Sequence, residues 1–132
     1  MKRVVICGSR RFEDEIKDFA AKLRDEGVIV HTPLLADIDC VLESAQSPKR
    51  AQLMASGLSK RLTDAIRMAD IVFIFNKDGY IGVSTAFAIG YAQRGDTPVW
   101  FLEDPPNNEL WQRDESEMVL NNPQDVAHFL KD

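Results

Sequence analysis

The chain has 132 residues, of which 45% are hydrophobic and 28% charged, so its length and composition predict a single globular domain spanning residues 1–132. The net charge of −5 at pH 7 excludes a global basic field and argues against a polynucleotide partner, although a small anion pocket remains compatible with it. No apolar run approaches the length of a membrane span, so no membrane partner is expected.

The beginning of the chain predicts two strands around one helix. Residues 3–7 form a β-branched apolar run that is typical of a buried strand. Apolar residues then recur at helical spacing in residues 16–23, with acids and lysines between them, and Gly27 ends this helix. Residues 28–31 predict the second strand.

The middle of the chain predicts a loop followed by a long helix. Residues 36–48 are rich in aspartate and serine and contain a proline, so they predict a loop with one helical turn at 41–45. Residues 49–68 predict the second helix, which Gly57 could bend. The inner face of this helix is formed by Leu58, Leu62, Ala65, Ile66 and Ala69.

The second half of the chain predicts two more strands and two more helices. Residues 70–75 are almost continuously apolar and predict a third strand, and residues 84–94 predict the third helix. Residues 98–102 predict a fourth strand. The Asn122-Pro123 pair is typical of the N-cap and first position of a last helix. The apolar residues of that helix are Val126, Phe129 and Leu130.

This alternation of apolar strands and helices predicts the fold class. We expect a single α/β domain of Rossmann-like or flavodoxin-like type, with a parallel sheet and helices on both faces. Such sheets bind ligands beyond the carboxyl ends of their strands, where the strand order reverses. Three loops should meet there, namely residues 8–12, the loop at Pro33 and residues 76–85.

A first candidate binding segment follows the first strand. It consists of Gly8, Ser9, Arg10 and Arg11. A glycine turn just before a helix offers free backbone N–H groups to an anion, and Arg10 or Arg11 could clamp that anion. The glycine-rich dinucleotide fingerprint and the Walker lysine pattern are both absent. The alternative interpretation is a simple turn with two solvated arginines.

A second candidate segment follows the third strand. Gly82 precedes Ser84 and Thr85, either of which could cap the third helix, and the start of that helix also favours an anion. Tyr80 could stack on a base or merely cover the sheet. Asp78 lies at the end of the sheet where ligands bind and could orient a ribose hydroxyl.

Three features together resemble the nucleoside 2-deoxyribosyltransferase family. They are the glycine-serine-arginine opening, the Ala69-Asp70 strand start and the segment that runs from Gly-Tyr-Ile-Gly at 79–82 to Gly-Tyr-Ala at 90–92. The likeness spans residues 3–102, and its specific part is residues 78–92. The family includes hydrolases of nucleoside 5′-monophosphates. The resemblance implies a nucleoside or nucleotide ligand, cleavage or transfer of an N-glycosidic bond, and a homodimer.

The chain departs from this family at two carboxylates. The family's nucleophilic glutamate falls on Ala88, which has no group to attack an anomeric carbon. A second family acid, eight residues before Asp70, falls on Leu62. Asp64 is two positions away and would face another direction on a helix. The resemblance therefore implies an impaired site, with Asp78 or Asp64 as the remaining nearby carboxylates.

Three functions remain open from the sequence. The first is an impaired deoxyribosyltransferase or N-glycosidase homologue, the second a non-catalytic, regulatory nucleotide-binding module, and the third a Rossmann-like carrier of another phosphorylated ligand. Base release would separate the first two, and direct binding would separate the second from the third.

The cysteines and the third helix bear on compartment and assembly. Cys7 and Cys40 form neither a metal-ligand spacing nor a disulfide framework, which favours reduced thiols and a cytoplasmic location. We expect no metal and no cofactor. Phe87 and Tyr91 lie one turn apart while Ile89 lies on another face, so this helix has more apolar surface than one sheet contact needs and favours a homodimer through this helix or its neighbour.

Overall fold

The computed structural model describes residues 1–33, 60–105 and 117–131, which build one parallel sheet with helices on both faces. The strands are β1 (Arg3–Gly8), β2 (Ile29–His31), β3 (Ile71–Phe75) and β4 (Val99–Phe101). Their order in the sheet is β2-β1-β3-β4. This order is flavodoxin-like and confirms the predicted fold class.

Helices accompany the sheet in the described residues. They are α1 (Glu13–Asp25), α2 (residues 60–68), α3 (Val83–Arg94) and α4 (Pro123–Leu130). Two 3-10 turns, Arg10–Phe12 and Lys77–Gly79, follow β1 and β3. The predicted elements are confirmed to within a few residues. The loop predicted at 36–48, with its turn at 41–45, and residues 49–59 of the second helix lie outside the described residues.

The sheet is built around β1, which pairs with β2 on one side and with β3 on the other. The chain therefore reverses its direction of travel across the sheet between β1 and β3. Gly8 is the register partner of Phe75, so both strands end at the same level. The crevice expected for a ligand lies beyond these two strand ends.

The alternation of side chains along each strand divides the core between the two faces of the sheet. The α1–α4 cluster includes Val4, Ile6, Ile16, Phe19, Leu23, Phe73, Phe75, Trp100, Val126 and Leu130. The α2–α3 cluster consists of Val5, Cys7, Leu62, Ile66, Val72, Ile74, Ala88, Ile89, Ala92, Val99 and Phe101. Because both faces are covered, the strands read as continuous apolar runs.

The end of α1 and the start of α4 follow the predicted signals. Gly27 adopts a positive φ of 85° beyond α1, and the Asn122 side chain accepts a hydrogen bond of 2.8 Å from the Asp125 N–H at the start of α4. Phe129 does not belong to the inner face of α4, because 44% of it is exposed. The residues that α4 buries are Pro123, Val126, Ala127 and Leu130.

A short segment runs alongside β4 that the sequence patterns did not predict. The Phe101 N–H donates to the Met118 carbonyl at 2.8 Å, and the Leu120 N–H donates to the Phe101 carbonyl at 2.9 Å. Val119 thereby forms a parallel bridge with Phe101. Within the described residues, no helix has the length and apolarity that crossing a membrane would require.

Candidate functional site

The turn after β1 is held by local contacts. The Ser9 hydroxyl accepts a hydrogen bond of 3.3 Å from the Arg11 N–H, which fixes the start of the 3-10 turn. A Cβ atom added at Gly8 would lie 2.8 Å from Ile16 Cδ1 and 3.1 Å from the Phe75 carbonyl oxygen. Close packing at the strand end is therefore sufficient to explain the glycine. Arg10 lies in the same turn and is exposed.

The turn after β3 is tied to the end of β4. Asn76 is fully buried, and its side chain donates to the Glu103 carbonyl at 2.9 Å and accepts from the Glu103 N–H at 3.0 Å. Asp78 adopts the left-handed conformation, with φ of 57°, and its N–H donates to the Glu103 carboxylate at 2.8 Å. Asp78 is exposed at the carboxyl edge of the sheet, where the sequence predicted it.

The start of α3 has no side-chain cap. Gly82 is the N-cap residue, with an extended φ of −80° and ψ of 176°, and the helix begins at Val83. The prediction that Ser84 or Thr85 caps the helix is wrong, because both lie inside its first turn, where Ser84 is exposed and Thr85 is buried. The first turn also carries no acidic residue. Its N–H groups therefore give this end of the helix a favourable potential for an anion.

Tyr80 joins these two turns. The Arg11 guanidinium lies over the face of its ring, 3.8 Å from the centroid. The Phe12 ring meets it edge to face, with centroids 6.4 Å apart. A Cβ atom on Gly82 would lie 3.6 Å from the ring edge and from the hydroxyl of Tyr80. Among the predicted site residues, the structure thus brings Arg11, Tyr80 and Gly82 into one set of contacts.

Ala88 and Leu62 belong to the same apolar cluster. Both are buried, and both belong to the α2–α3 cluster beneath the sheet. In the family that the sequence resembles, these two positions would carry carboxylates. Asp64 does not replace them, because its carboxylate is held at the surface by Arg67 at 2.7 Å and by Lys60 at 3.7 Å. The two aligned positions therefore place only methyl and isobutyl groups in this cluster.

Cys7 lies in the same α2–α3 cluster as Ala88 and offers no reactive thiolate there. It is a free, buried cysteine, and burial raises the pKa of its thiol to about 12. The thiolate is the nucleophilic form of cysteine, so this thiol is inert at neutral pH. Within the described part of the chain, no three histidine, cysteine, aspartate or glutamate side chains come together as a possible metal centre.

A separate surface groove of about 910 Å³ opens on the opposite face of the sheet, between α1 and the start of α4. Both of its lysines are paired within the protein, since Lys77 binds Glu15 and Lys22 binds Asp18 at 3.0 Å. The hydrogen bond with Glu15 raises the pKa of the Lys77 amine. The groove lies beside β3 and β4, whereas the ligand crevice is expected where the strand order reverses, between β1 and β3. We therefore assign the candidate site to the crevice of Arg11, Tyr80 and Gly82.

Two features of this site, the Asn76–Glu103 bonds and the Arg11–Tyr80 stack, had weak or no signals in the sequence. Asn76 was signalled only as a polar residue directly after an apolar strand, and its bond to Glu103 depends on a contact 27 residues away. The Arg11–Tyr80 stack joins two turns that are distant in the sequence. The third loop expected at this edge, which begins at Pro33, lies beyond that residue outside the described part of the chain.

The described residues define a parallel α/β protein with a ligand crevice expected at the reversal between β1 and β3. Comparison with solved structures finds this fold in a 2-deoxyribosyltransferase from the psychrotolerant bacterium Bacillus psychrosaccharolyticus, with a TM-score of 0.63, 18% identity, and coverage of 95% of this chain and 90% of that chain. The CMP N-glycosidase of Clostridium botulinum matches with a TM-score of 0.56 and 17% identity, over 98% of this chain and 99% of that chain. No protein-family model and no curated protein matches the chain. The chain therefore shares the fold of these two proteins.

Proposed function

We propose that the chain is a nucleoside 2-deoxyribosyltransferase-like protein that binds a nucleoside or nucleotide in the crevice between the ends of β1 and β3. Three features support this. The chain reverses there. Arg11 lies beside the crevice on Tyr80, and the start of α3 has no side-chain cap. The two proteins that share its fold are named for a deoxyribosyl transfer and for cleavage of CMP.

We further propose that the N-glycosidic chemistry is impaired in this chain. The observation that carries this proposal is the joint burial of Ala88 and Leu62 in one apolar cluster. Departure of a base through an oxocarbenium-like transition state needs a carboxylate at the anomeric carbon, and a methyl group cannot serve. Asp64 is paired at the surface, and Asp78 is exposed in a turn whose N–H is bound to Glu103.

The catalytic part of the proposal is tested by base release. Deoxynucleosides and their 5′-monophosphates are incubated with the chain, and free base is measured by chromatography. We expect no release above the uncatalysed background. Ala88→Glu should restore at most partial release, because the burial that raises the pKa of Cys7 in the same cluster also favours a protonated glutamate, and adding Leu62→Asp should increase the release non-additively. The matched control is Asp64→Asn, which should likewise release no base above the background.

The catalytic result has clear alternatives. Robust turnover by the unaltered chain would contradict the impaired site and direct attention to Asp78 as another carboxylate. If the Ala88→Glu, Leu62→Asp variant released no base but bound nucleotide measurably, the non-catalytic regulatory module would be favoured. That second function is supported by the same observation, because losing both family carboxylates leaves the binding turns intact.

The binding part of the proposal is tested by calorimetry with purine and pyrimidine nucleosides and their monophosphates. We expect the monophosphates to bind, and we expect the double variant Arg10→Ala, Arg11→Ala to weaken them. Arg94→Ala is the matched control, since Arg94 is an exposed arginine at the opposite end of α3. Absence of binding at millimolar concentration would contradict the proposal. Binding of other phosphorylated compounds instead would favour the carrier function.

A further inference from the structure

Tyr80 holds a planar cation in a fixed position. One face of its ring is covered by the Arg11 guanidinium, 3.8 Å from the centroid, and Phe12 supports the ring edge to face. The ring edge and hydroxyl lie beside Gly82, the N-cap residue of α3, since a Cβ atom added there would be 3.6 Å from each of them. Tyr80 thus spans from the turn after β1 to Gly82, the N-cap residue of α3, although it is itself partly exposed.

The Arg11 side chain is fixed at both of its ends. Its backbone N–H donates to the Ser9 hydroxyl at 3.3 Å, which sets where the side chain begins. Within the described residues, its guanidinium contacts the Tyr80 ring rather than a carboxylate. An exposed arginine without such a contact would distribute over many rotamers, and a ligand would then have to order it on binding.

The form of this contact matters for ligand binding. Stacking occupies the flat face of a guanidinium, whereas its N–H donors point outward in the plane of the group. A stacked arginine can therefore still donate two parallel hydrogen bonds to a phosphate. A carboxylate partner would instead occupy those donors and compete with the phosphate.

We propose that Tyr80 is a positioning residue that holds Arg11 ready for the ligand's phosphate and so favours nucleoside monophosphates over the corresponding nucleosides. The inference rests on the proposed function and adds a specificity determinant to it. Tyr80 acts through Arg11, because the ring offers its face to the guanidinium and its edge to Gly82. Removal of the ring should weaken phosphate recognition and leave recognition of the base and sugar unchanged.

The test measures, by calorimetry, the affinities for one nucleoside, for its 5′-monophosphate and for inorganic phosphate. Tyr80→Leu should weaken the monophosphate and phosphate about two- to fivefold, the range expected for an exposed cation–π contact, with the nucleoside unchanged. Tyr80→Phe keeps the aromatic face and should stay within about twofold of the unaltered chain. In an Arg11→Ala background, Tyr80→Leu should cause no further loss, because the two residues act through one contact.

The outcomes separate this inference from the function on which it rests. Equal losses for nucleoside and monophosphate in Tyr80→Leu would show that the ring serves the base or the fold, and would overturn the inference while the function stands. An unchanged affinity for monophosphate would also overturn it. Tyr80-dependent phosphate binding, with monophosphates binding no tighter than phosphate itself, would retain the positioning role and reject the nucleotide function. Absence of binding for all three probes would reject both.

Discussion

Gly8 shows how closely β1, β3 and α1 approach one another at the candidate site. A Cβ atom there would lie 2.8 Å from the end of the Ile16 side chain and 3.1 Å from both Cβ and the carbonyl oxygen of Phe75. Ile16 is fully buried and the Phe75 backbone is held in the sheet, so neither can move away freely. We expect Gly8→Ala to lower the free energy of unfolding by about 1–3 kcal/mol, measured by urea denaturation.

Gly95→Ala is the matched control for this prediction. Gly95 ends α3 with an ordinary φ of −93°, and the nearest atoms to an added Cβ are 3.7 and 3.9 Å away. The substitution should change the free energy of unfolding by less than about 0.5 kcal/mol. Equal effects at the two glycines would show that crowding at the strand end is not what requires Gly8.

Cys7 provides a residue-scale test of how well the α2–α3 cluster excludes water. Burial raises its thiol pKa from 9.0 to about 12. In a Cys40→Ser variant, we expect no alkylation of the native protein at pH 8 and full alkylation after denaturation. Because the folded pKa lies above the unfolded one, the neutral thiol stabilises the fold below pH 9, and this contribution is lost as the pH rises from about 9 towards 12. Rapid alkylation of the native chain would contradict the burial.

At the scale of elements, Asn76 connects the ends of β3 and β4. Its amide makes two hydrogen bonds to the backbone of Glu103, and the Asp78 N–H binds the Glu103 carboxylate next to them. Asn76→Ala removes both amide bonds and leaves two partly buried backbone groups without that partner. We expect a loss of about 2–3 kcal/mol in the free energy of unfolding, measured by urea denaturation.

Asn121→Ala is the comparison for this element-scale prediction. Asn121 is exposed, and its amide makes a single long bond of 3.4 Å to the Leu102 carbonyl near the same strand end. Its removal should cost less than about 0.5 kcal/mol. If Asn121→Ala proved as destabilising as Asn76→Ala, the two bonds to Glu103 would not be what holds β3 to β4.

Local patterns were enough to predict the named strands and helices within the described residues. Continuous apolar runs predict strands that are buried on both faces, and Gly27 and Asn122 predict helix ends because they act on the nearest turn. The apolar residues of the last helix do not all face the core, because α4 buries Val126, Ala127 and Leu130 and leaves Phe129 44% exposed. The cap assigned to Ser84 or Thr85 was wrong because the extended backbone of Gly82 already holds the capping position.

Contacts between distant segments could not be predicted in this way. The place of Val119 beside β4 depends on pairing with Phe101 across 18 positions of the chain, and its apolar run of three residues is too short to predict a strand. The sequence predicted Arg11, Tyr80 and Gly82 as site residues in two separate turns. It also predicted that both turns lie at one edge of the sheet. The stack itself depends on side-chain geometry that only the folded chain defines.

At the scale of the whole molecule, α3 presents apolar groups outward. Val83 is 90% exposed and Phe87 is 51% exposed, whereas Ile89 is buried, as the sequence pattern predicted. Phe87 stacks on Tyr91, with ring centroids 6.3 Å apart. Gly90 is exposed on the same helix, with no atom within 4 Å of an added Cβ in the described residues. A glycine inside a helix destabilises it by about 1 kcal/mol relative to alanine, so open space alone does not explain Gly90. Close approach of a second surface would explain it.

The last prediction is that α3 forms the interface of a homodimer. Light scattering at tens of micromolar should give the mass of a dimer for the unaltered chain. Phe87→Lys should give a monomer, because it places a charge in the centre of the apolar surface. Phe129→Lys is the matched control, since Phe129 is 44% exposed on α4, and it should leave the dimer intact. A monomeric unaltered chain would contradict the prediction, and equal dissociation by both variants would place the interface elsewhere. Because the N-cap residue of α3, Gly82, lies beside Tyr80, a dimer formed through α3 would bring the partner close to the crevice, and Phe87→Lys should then weaken monophosphate binding as well.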